Sequence, residues 1–503
     1  MTTTTTVPAA AGGRPIEPPP VGPGRRHTLR SWTVFGVLVV VLAGSAAAVF
    51  MPLKPQAIGC AALVMMLALL LLRVPVAMTM IIPSFAGLYA LRGEKTVVSA
   101  LSSLPYDQVA SWTLSVVPMF VLMGLLMWRS GLTANLYTVA RHWLGWLPGG
   151  LAVGTNVAGA GLATVSGSTT GTAYALGRIG IPEMLKAGYD RRLAVGAVIV
   201  AGLPGQLIPP SILLVLYAGI AEVPVGKQLL AGIGPGILVA VLFSLAIVGF
   251  AVFGKDLAGP NRGRGADQVS WKEKLTSLAQ AWPVPVLMLV IVGGMLSGIF
   301  TATEAGAAAA LCSVGVVLLW KRGTGGAFRA LADGAVGTVS TVGAVFLLLV
   351  GVEALSRMMT LSGISNGFAD LIAGMDLGRV EFLLLMVVVY LLLGAFMEPL
   401  PMMVLTIPIL IPTLEALDIS LLWFGAFTVF MGELAILSPP VGVLAMVIHS
   451  IAKDPEVNLG RNIPLKDVFV ASLWFLPMAI VVVLILIFFP EIATFLPDRA
   501  GAG

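Results

Sequence analysis

The stretch Gly202-Leu203-Pro204-Gly205-Gln206-Leu207-Ile208-Pro209-Pro210-Ser211 lies between two apolar runs, and it does not read as a continuous helix. Proline removes a backbone donor and clashes with the preceding turn, while glycine adds conformational freedom. A second stretch repeats the pattern: Gly432-Glu433-Leu434-Ala435-Ile436-Leu437-Ser438-Pro439-Pro440-Val441-Gly442. Outside the N-terminal tail, these hold the only two Pro-Pro pairs in the chain. Each pair follows an Ile-Pro by 27 residues, Pro182 to Pro209 and Pro412 to Pro439, with a constant offset of 230 between the halves. Gly202 and Gly432 share that offset, and Ser130-Gly131 matches Ser362-Gly363 at 232. Helices interrupted at corresponding places of two halves mark a substrate or ion site in a membrane protein. Chance recurrence in a Gly- and Pro-rich chain is the competing reading.

The membrane assignment rests on composition. The chain of 503 residues is 58% hydrophobic and 11% charged, with mean hydropathy +0.99. A soluble domain carries about 25% charged residues. Apolar runs such as residues 32–50, 229–253, 282–300 and 470–489 approach the ~20 residues needed to span the hydrocarbon, giving roughly eleven to thirteen spans or half-spans. The net charge of +5 gives no nucleic-acid signal, because its basic residues fall in short loops. Lys255, Arg262, Arg264, Lys272 and Lys274 form one cluster, and Lys321, Arg322 and Arg329 another. The positive-inside rule makes both loops cytoplasmic. Cys60 and Cys312 lie in apolar sequence, and His27, His142 and His449 are scattered, so neither a disulfide framework nor a metal spacing is present.

These features divide the chain. Residues 1–30 form a Thr-, Pro- and Gly-rich disordered cytoplasmic tail. Residues 31–55 hold an N-terminal transmembrane helix; Ala46-Ala47-Ala48 also resembles a signal-peptide cleavage site, but the apolar segment and the tail before it are long for a signal. Residues 56–254 make a first half, 255–281 a charged cytoplasmic linker, 282–497 a second half and 498–503 a C-terminal tail.

In the first half, Ser166-Gly167-Ser168-Thr169-Thr170-Gly171-Thr172 separates two apolar stretches. Glycines permit a tight turn there, and the hydroxyls can satisfy the freed backbone groups, which suits the tip of a re-entrant hairpin. Hydroxyl and carbonyl oxygens without a carboxylate suit sodium better than calcium. Small residues at this density equally suit helix–helix packing. In the second half, Glu398 lies in the break Gly394-Ala395-Phe396-Met397-Glu398-Pro399-Leu400-Pro401, and Glu433 precedes the second proline pair. Ionisable groups inside apolar sequence are costly and mark function. Paired structural carboxylates are the alternative, and Glu398 is the stronger functional candidate of the two.

With these residues in view, the chain resembles the large permease (M) subunit of tripartite ATP-independent periplasmic (TRAP) transporters, the DctM-like family. The resemblance runs in order through Arg73-Val74-Pro75-Val76-Ala77, the hydroxyl-rich segment from Ser166 to Gly177, and Ile181-Pro182-Glu183-Met184-Leu185-Lys186-Ala187-Gly188-Tyr189-Asp190. It continues through Ile208-Pro209-Pro210-Ser211-Ile212, Leu230-Ala231-Gly232-Ile233-Gly234-Pro235-Gly236 and Gly298-Ile299-Phe300-Thr301-Ala302-Thr303-Glu304-Ala305. It ends with Gly394-Ala395-Phe396-Met397-Glu398 and Ser438-Pro439-Pro440-Val441-Gly442.

The resemblance implies an all-α polytopic membrane protein: an elevator-type secondary transporter with two inverted repeats, broken helices and two re-entrant hairpins. It implies sodium-coupled uptake of an organic acid across the bacterial inner membrane. It implies two protein partners, a small four-helix (DctQ-like) membrane subunit and a periplasmic (DctP-like) binding protein, besides membrane lipid. By position, hairpin 1 covers residues 151–188 with its tip at 166–172, and hairpin 2 centres on 394–414. The substrate and ion site then draws on Ser166, Gly167, Ser168, Thr169, Thr170, Gly205, Pro209, Pro210, Glu398, Gly432, Ser438, Pro439 and Pro440. Sodium is expected at Ser166, Ser168, Thr169 and Ser438. This chain departs from the family at Gly171-Thr172, where a small residue and Asp are usual, at Glu398 for Asp, and at Ser438 for Thr. The N-terminal helix is additional to the usual large subunit, and one helix cannot supply a four-helix partner.

No Walker-type phosphate loop is present, since Gly226-Lys227 is followed by Gln228, so ATP is not the expected energy source and the chain is not expected to be an enzyme. Each charge crossing ~100 mV contributes about 2.3 kcal/mol instead. A stand-alone ion-coupled anion symporter or antiporter shares the broken helices. A membrane enzyme or a channel fits them less well.

Overall fold

The computed structural model describes residues 29–254, 257–259, 269–322, 326–394, 397–437 and 442–500. Among them every regular element is helical. The N-terminal apolar run forms α1 (Leu29–Val49), and α2 (Pro55–Leu71) starts with proline in its first turn, where the missing N–H costs nothing. Next come α3 (Val76–Arg92) and α4 (Glu94–Val109), the latter more polar. α5 (Val116–Ser130) and α6 (Leu132–Leu144) meet at Gly131, whose φ of 87° gives the left-handed turn that ends a helix.

The first set of broken helices follows. α7 (Gly150–Ser166) and α8 (Thr169–Lys186) form the expected hairpin. α9 (Arg191–Ala201) then stops at Gly202, a short 3-10 turn covers Pro204–Gln206, and α10 (Ile212–Ile220) resumes after Pro209 and Pro210. α11 (Val225–Phe253) closes the half. Residues 271–280, expected as part of a linker, are instead a capped helix, α12 (Trp271–Gln280), packed on α6. Ser270 and Glu273 close a capping box at its start, satisfying the first N–H groups.

α13 (Pro283–Met288) continues through a π-helical turn, Leu289–Gly293, into α14 (Gly294–Leu296) and leads to α15 (Ala302–Trp320) and α16 (Ala327–Ser362). α16 ends at Gly363 with φ 73°, as α5 ends at Gly131, so the two Ser-Gly pairs do the same local job. After α17 (Ile364–Gly374) come α18 (Arg379–Gly394) and α19 (Pro399–Ala416), then α20 (Leu421–Ala435) and α21 (Val443–Ile451). α22 (Pro455–Asn458), α23 (Leu465–Phe488) and α24 (Glu491–Arg499) complete the chain. α8 and α19 are both 18 residues long and start at 169 and 399, an offset of 230. Pro182 and Pro412 sit inside these helices, four residues before each ends, and do not break them.

Among the described residues, six helices are long and apolar enough to cross a membrane; α12 with the segment Pro283–Leu296 is a further bent pair, and four apolar helices are shorter. The buried side chains form two clusters. The larger joins both sets of broken helices with α5, α11, α15 and α23. The smaller joins α2, α3 and α4 to the second half of α16.

Candidate functional site

Ser168 is where the first hairpin turns. Its extended backbone leaves α7, and its Oγ accepts from Gly171 N at 3.1 Å, capping α8. That cap pulls Thr169–Thr172 into the first helical turn, so only Gly167 and Ser168 lie outside the helices. The tip is therefore narrower than the expected 166–172. Gly167 has φ 63°, a left-handed conformation that L-residues seldom adopt. Ser166 Oγ and Thr172 Oγ1 pair at 3.2 Å across the base of the turn.

The Thr169 hydroxyl reaches the other half of the chain. Thr169 Oγ1 donates to Glu433 Oε2 at 2.6 Å. Glu433 sits near the end of α20, 3% exposed, in apolar surroundings. A carboxylate taken out of water demands a partner, and a short O–H···O⁻ bond is among the stronger kinds. Gln206, 2% exposed in the first break, completes the arrangement. With its amide oriented so that the oxygen faces the tip, it accepts from Ser168 N and Thr169 N, each at 3.0 Å. The tip is thus held by the broken helices of both halves.

These groups border a cavity of about 160 Å³. Gly167, Ser168, Thr169 and Thr170 line it from the first tip, Gln206 from the first break, and Glu398 and Glu433 from the second half. Glu398 immediately precedes α19 and makes no capping bond to it. Two carboxylates thus face the cavity, and no Lys, Arg or His is among the described residues that line it. Among the described residues no three His, Cys, Asp or Glu side chains cluster as metal ligands.

Gly167, Ser168, Thr169, Thr170 and Glu398 were all singled out in the sequence, and they meet here. Ser166 lies behind the turn, and Pro209 and Pro210 are buried outside the cavity wall, joined by a cis peptide. Gly205 and Gly432 serve close approach instead. A Cβ on Gly205 would sit 2.6 Å from Thr164 N of α7, and one on Gly432 2.8 Å from Pro399 Cβ. Ser438, Pro439 and Pro440 lie outside the described residues. Gln206 was passed over in the sequence because a polar residue among glycines and prolines reads as loop. Glu433 was ranked below Glu398, although its place in an apolar run was the available signal.

The two sets of broken helices, brought tip to tip around one polar cavity, define a polytopic helical membrane transporter. A crystal structure of the Alcanivorax borkumensis YdaH transporter shares the fold with a TM-score of 0.59 at 15% identity, covering 86% of this chain and 98% of that one. Residues 63–492 match the family model of the tripartite ATP-independent periplasmic transporter DctM component, and the chain belongs to that family. It is 32% identical over 406 residues to the C4-dicarboxylate TRAP transporter large permease protein DctM of Pseudomonas aeruginosa, covering 80% of this chain and 90% of that one. It is 28% identical over 441 residues to the ectoine/5-hydroxyectoine large permease UehC of Ruegeria pomeroyi, covering 86% and 97%. These relatives are permeases, not enzymes.

Proposed function

We propose that this chain is the solute-carrying subunit of a sodium-coupled uptake system in the bacterial inner membrane, with its N-terminus in the cytoplasm. It takes an organic acid from a periplasmic binding protein and works beside a small four-helix membrane subunit. The observation that carries this reading is the Thr169–Glu433 hydrogen bond, which joins the two broken-helix sets at a polar cavity.

The charge balance supports cation coupling. Glu398 and Glu433 make the cavity wall acidic, so a carboxylate substrate entering alone would be repelled. Co-bound monovalent cations remove that repulsion. Thr169 donates its hydrogen bond to Glu433, which leaves its oxygen lone pairs free to accept a cation, and Ser168 keeps one after capping Gly171. The N-terminus of α19, without a side-chain cap, offers the positive end of a helix to an anionic group.

The two relatives differ in what their names say they carry, a C4-dicarboxylate and ectoine or 5-hydroxyectoine, so relatedness leaves the solute open. Two inverted repeats and an elevator motion are part of the same proposal. Its support is the matched order of hairpin, break and helix, and the smaller buried cluster that α2, α3 and α4 form with the second half of α16.

Reconstitution in proteoliposomes with the binding protein and small subunit tests the reading. Uptake of an organic acid should require an inward sodium gradient and the binding protein. Equal uptake without either would overturn it.

A further inference from the structure

A second cavity, of about 600 Å³, opens between α3, α4 and the last turns of α16, within the smaller buried cluster and apart from the hairpin tips. Its polar wall is Lys95, Thr96, Ser99, Glu353, Ser356 and Arg357. Arg357 Nε lies 3.3 Å from Glu353 Oε1 one turn away on α16, which steadies the guanidinium along that wall and engages its Nε, leaving its terminal N–H groups for a ligand. Lys95 is exposed and adds a positive charge that this pair does not cancel. Hydroxyls of Ser99 and Ser356 stand on opposite walls, one from α4 and one from α16. Two cations with hydroxyls between them suit an anion with several acceptor oxygens, such as a phosphate ester.

The depth of the cavity argues for the source of that phosphate. α16 has 36 residues, about 54 Å of helix, against a hydrocarbon core of ~30 Å. Its apolar middle gives way at Glu353 and Arg357, so its last turns stand at the membrane surface. α4 exposes Tyr106, and Trp112 follows at 77% exposure; such aromatic residues collect at the headgroup level. Exposed apolar and aromatic side chains also flank the cavity: Tyr89, Val98, Leu101 and Leu361. A headgroup bound by Lys95 and Arg357 would place its acyl chains along that surface.

We propose that this cavity binds the phosphate headgroup of an anionic phospholipid, pinning α4 to α16 at the membrane surface. The test uses the purified full chain. Native mass spectrometry counts retained phosphatidylglycerol and phosphatidylcholine, and thermal unfolding in detergent is measured with either lipid or with inorganic phosphate. Phosphatidylglycerol should be retained in preference and should raise the melting temperature. Lys95→Gln should lower its retention about fivefold, the effect of one basic residue at a membrane surface, and Ser356→Ala should lower it less. Lys95 is at the surface, so its replacement leaves the fold intact; the melting temperature without lipid checks this. Equal retention of the two lipids, or retention unchanged in Lys95→Gln, would overturn the proposal. Protection by inorganic phosphate as strong as by phosphatidylglycerol would assign the cavity to a soluble phosphate and overturn the lipid reading.

Discussion

Thr169 and Glu433 stand 264 residues apart in the chain and 2.6 Å apart in the fold. Neither group is satisfied without the other: the carboxylate is buried at the end of α20, and the hydroxyl is buried in the first turn of α8. The bond ties the turn of one hairpin to the opposite half's broken helix.

Replacing Thr169 with Val keeps the shape and deletes the donor. A buried acceptor left without its partner costs about 1–3 kcal/mol, so Thr169→Val should slow sodium-dependent uptake roughly tenfold while Thr169→Ser retains most of it. Combining Thr169→Val with Glu433→Gln should be less than additive, because each variant breaks the same bond. Initial rates in proteoliposomes with the partner proteins check this. Strictly additive effects would separate the two residues.

Gln206 acts on the same turn through the backbone. Gln206→Leu would take the side-chain acceptor away from two N–H groups, of Ser168 and of buried Thr169. Hydrogen exchange at residues 167–170 should accelerate by at least about tenfold. Gln206→Glu, which keeps an acceptor, should hold the protection. No change in exchange for the leucine variant would mean that the turn is fixed by other contacts.

Gly205 and Gly432 mark where the breaks press against helices. Gly205→Ala and Gly432→Ala insert a methyl where backbone or ring atoms already stand, and overpacking of that kind costs typically about 1–3 kcal/mol. Both variants should melt several degrees below the wild type. Gly249→Ala, with nothing within 4 Å of the added methyl, serves as the control and should melt unchanged.

At the far end of α9, Asp467 holds two arginines. Arg192 Nε donates to Oδ1 at 2.8 Å, and Arg191 Nε lies 2.7 Å from Oδ2 as a charge contact without hydrogen-bond alignment. The carboxylate is 5% exposed while both arginines are 40% exposed. Removing one partner of a buried pair costs about 3–5 kcal/mol when both charges are buried, and the exposed arginines reduce that here. Asp467→Asn should destabilise the fold by about 2 kcal/mol. Arg191→Gln, which loses the donor to Asn462 O at 2.8 Å as well as a charge contact, and Arg192→Gln, which loses the aligned bond to Asp467, should each cost less than Asp467→Asn. Thermal unfolding of the three variants gives the order.

The positions of the breaks were readable in the residues themselves. Gly202, Pro204, Pro209 and Pro210 fail as helix whatever surrounds them, and α9 stops where they begin. The extent of the hairpin tip was less readable. Ser and Thr from 166 to 172 look alike in a sequence, but Ser168 caps and the residues after it are helical. Pro182 and Pro412 were visible as markers of equivalent positions, yet the helices run through them because the surrounding packing holds those turns. The charged linker concealed α12, whose stability comes from docking on α6 as much as from its own cap.

What the sequence determined by itself is local: a membrane chain from its hydropathy, broken helices from glycine and proline, a capped turn from serine and threonine. These follow from backbone sterics and hydrogen bonds within a few residues. Which acidic residue is buried and partnered was decided only by the tertiary structure. Glu398 and Glu433 both stand out in apolar sequence, but only folding buries Glu433 against Thr169 and sets Gln206 under the same turn. Burial and partnership between distant residues depend on how whole helices pack, and local chemistry carries no information about that.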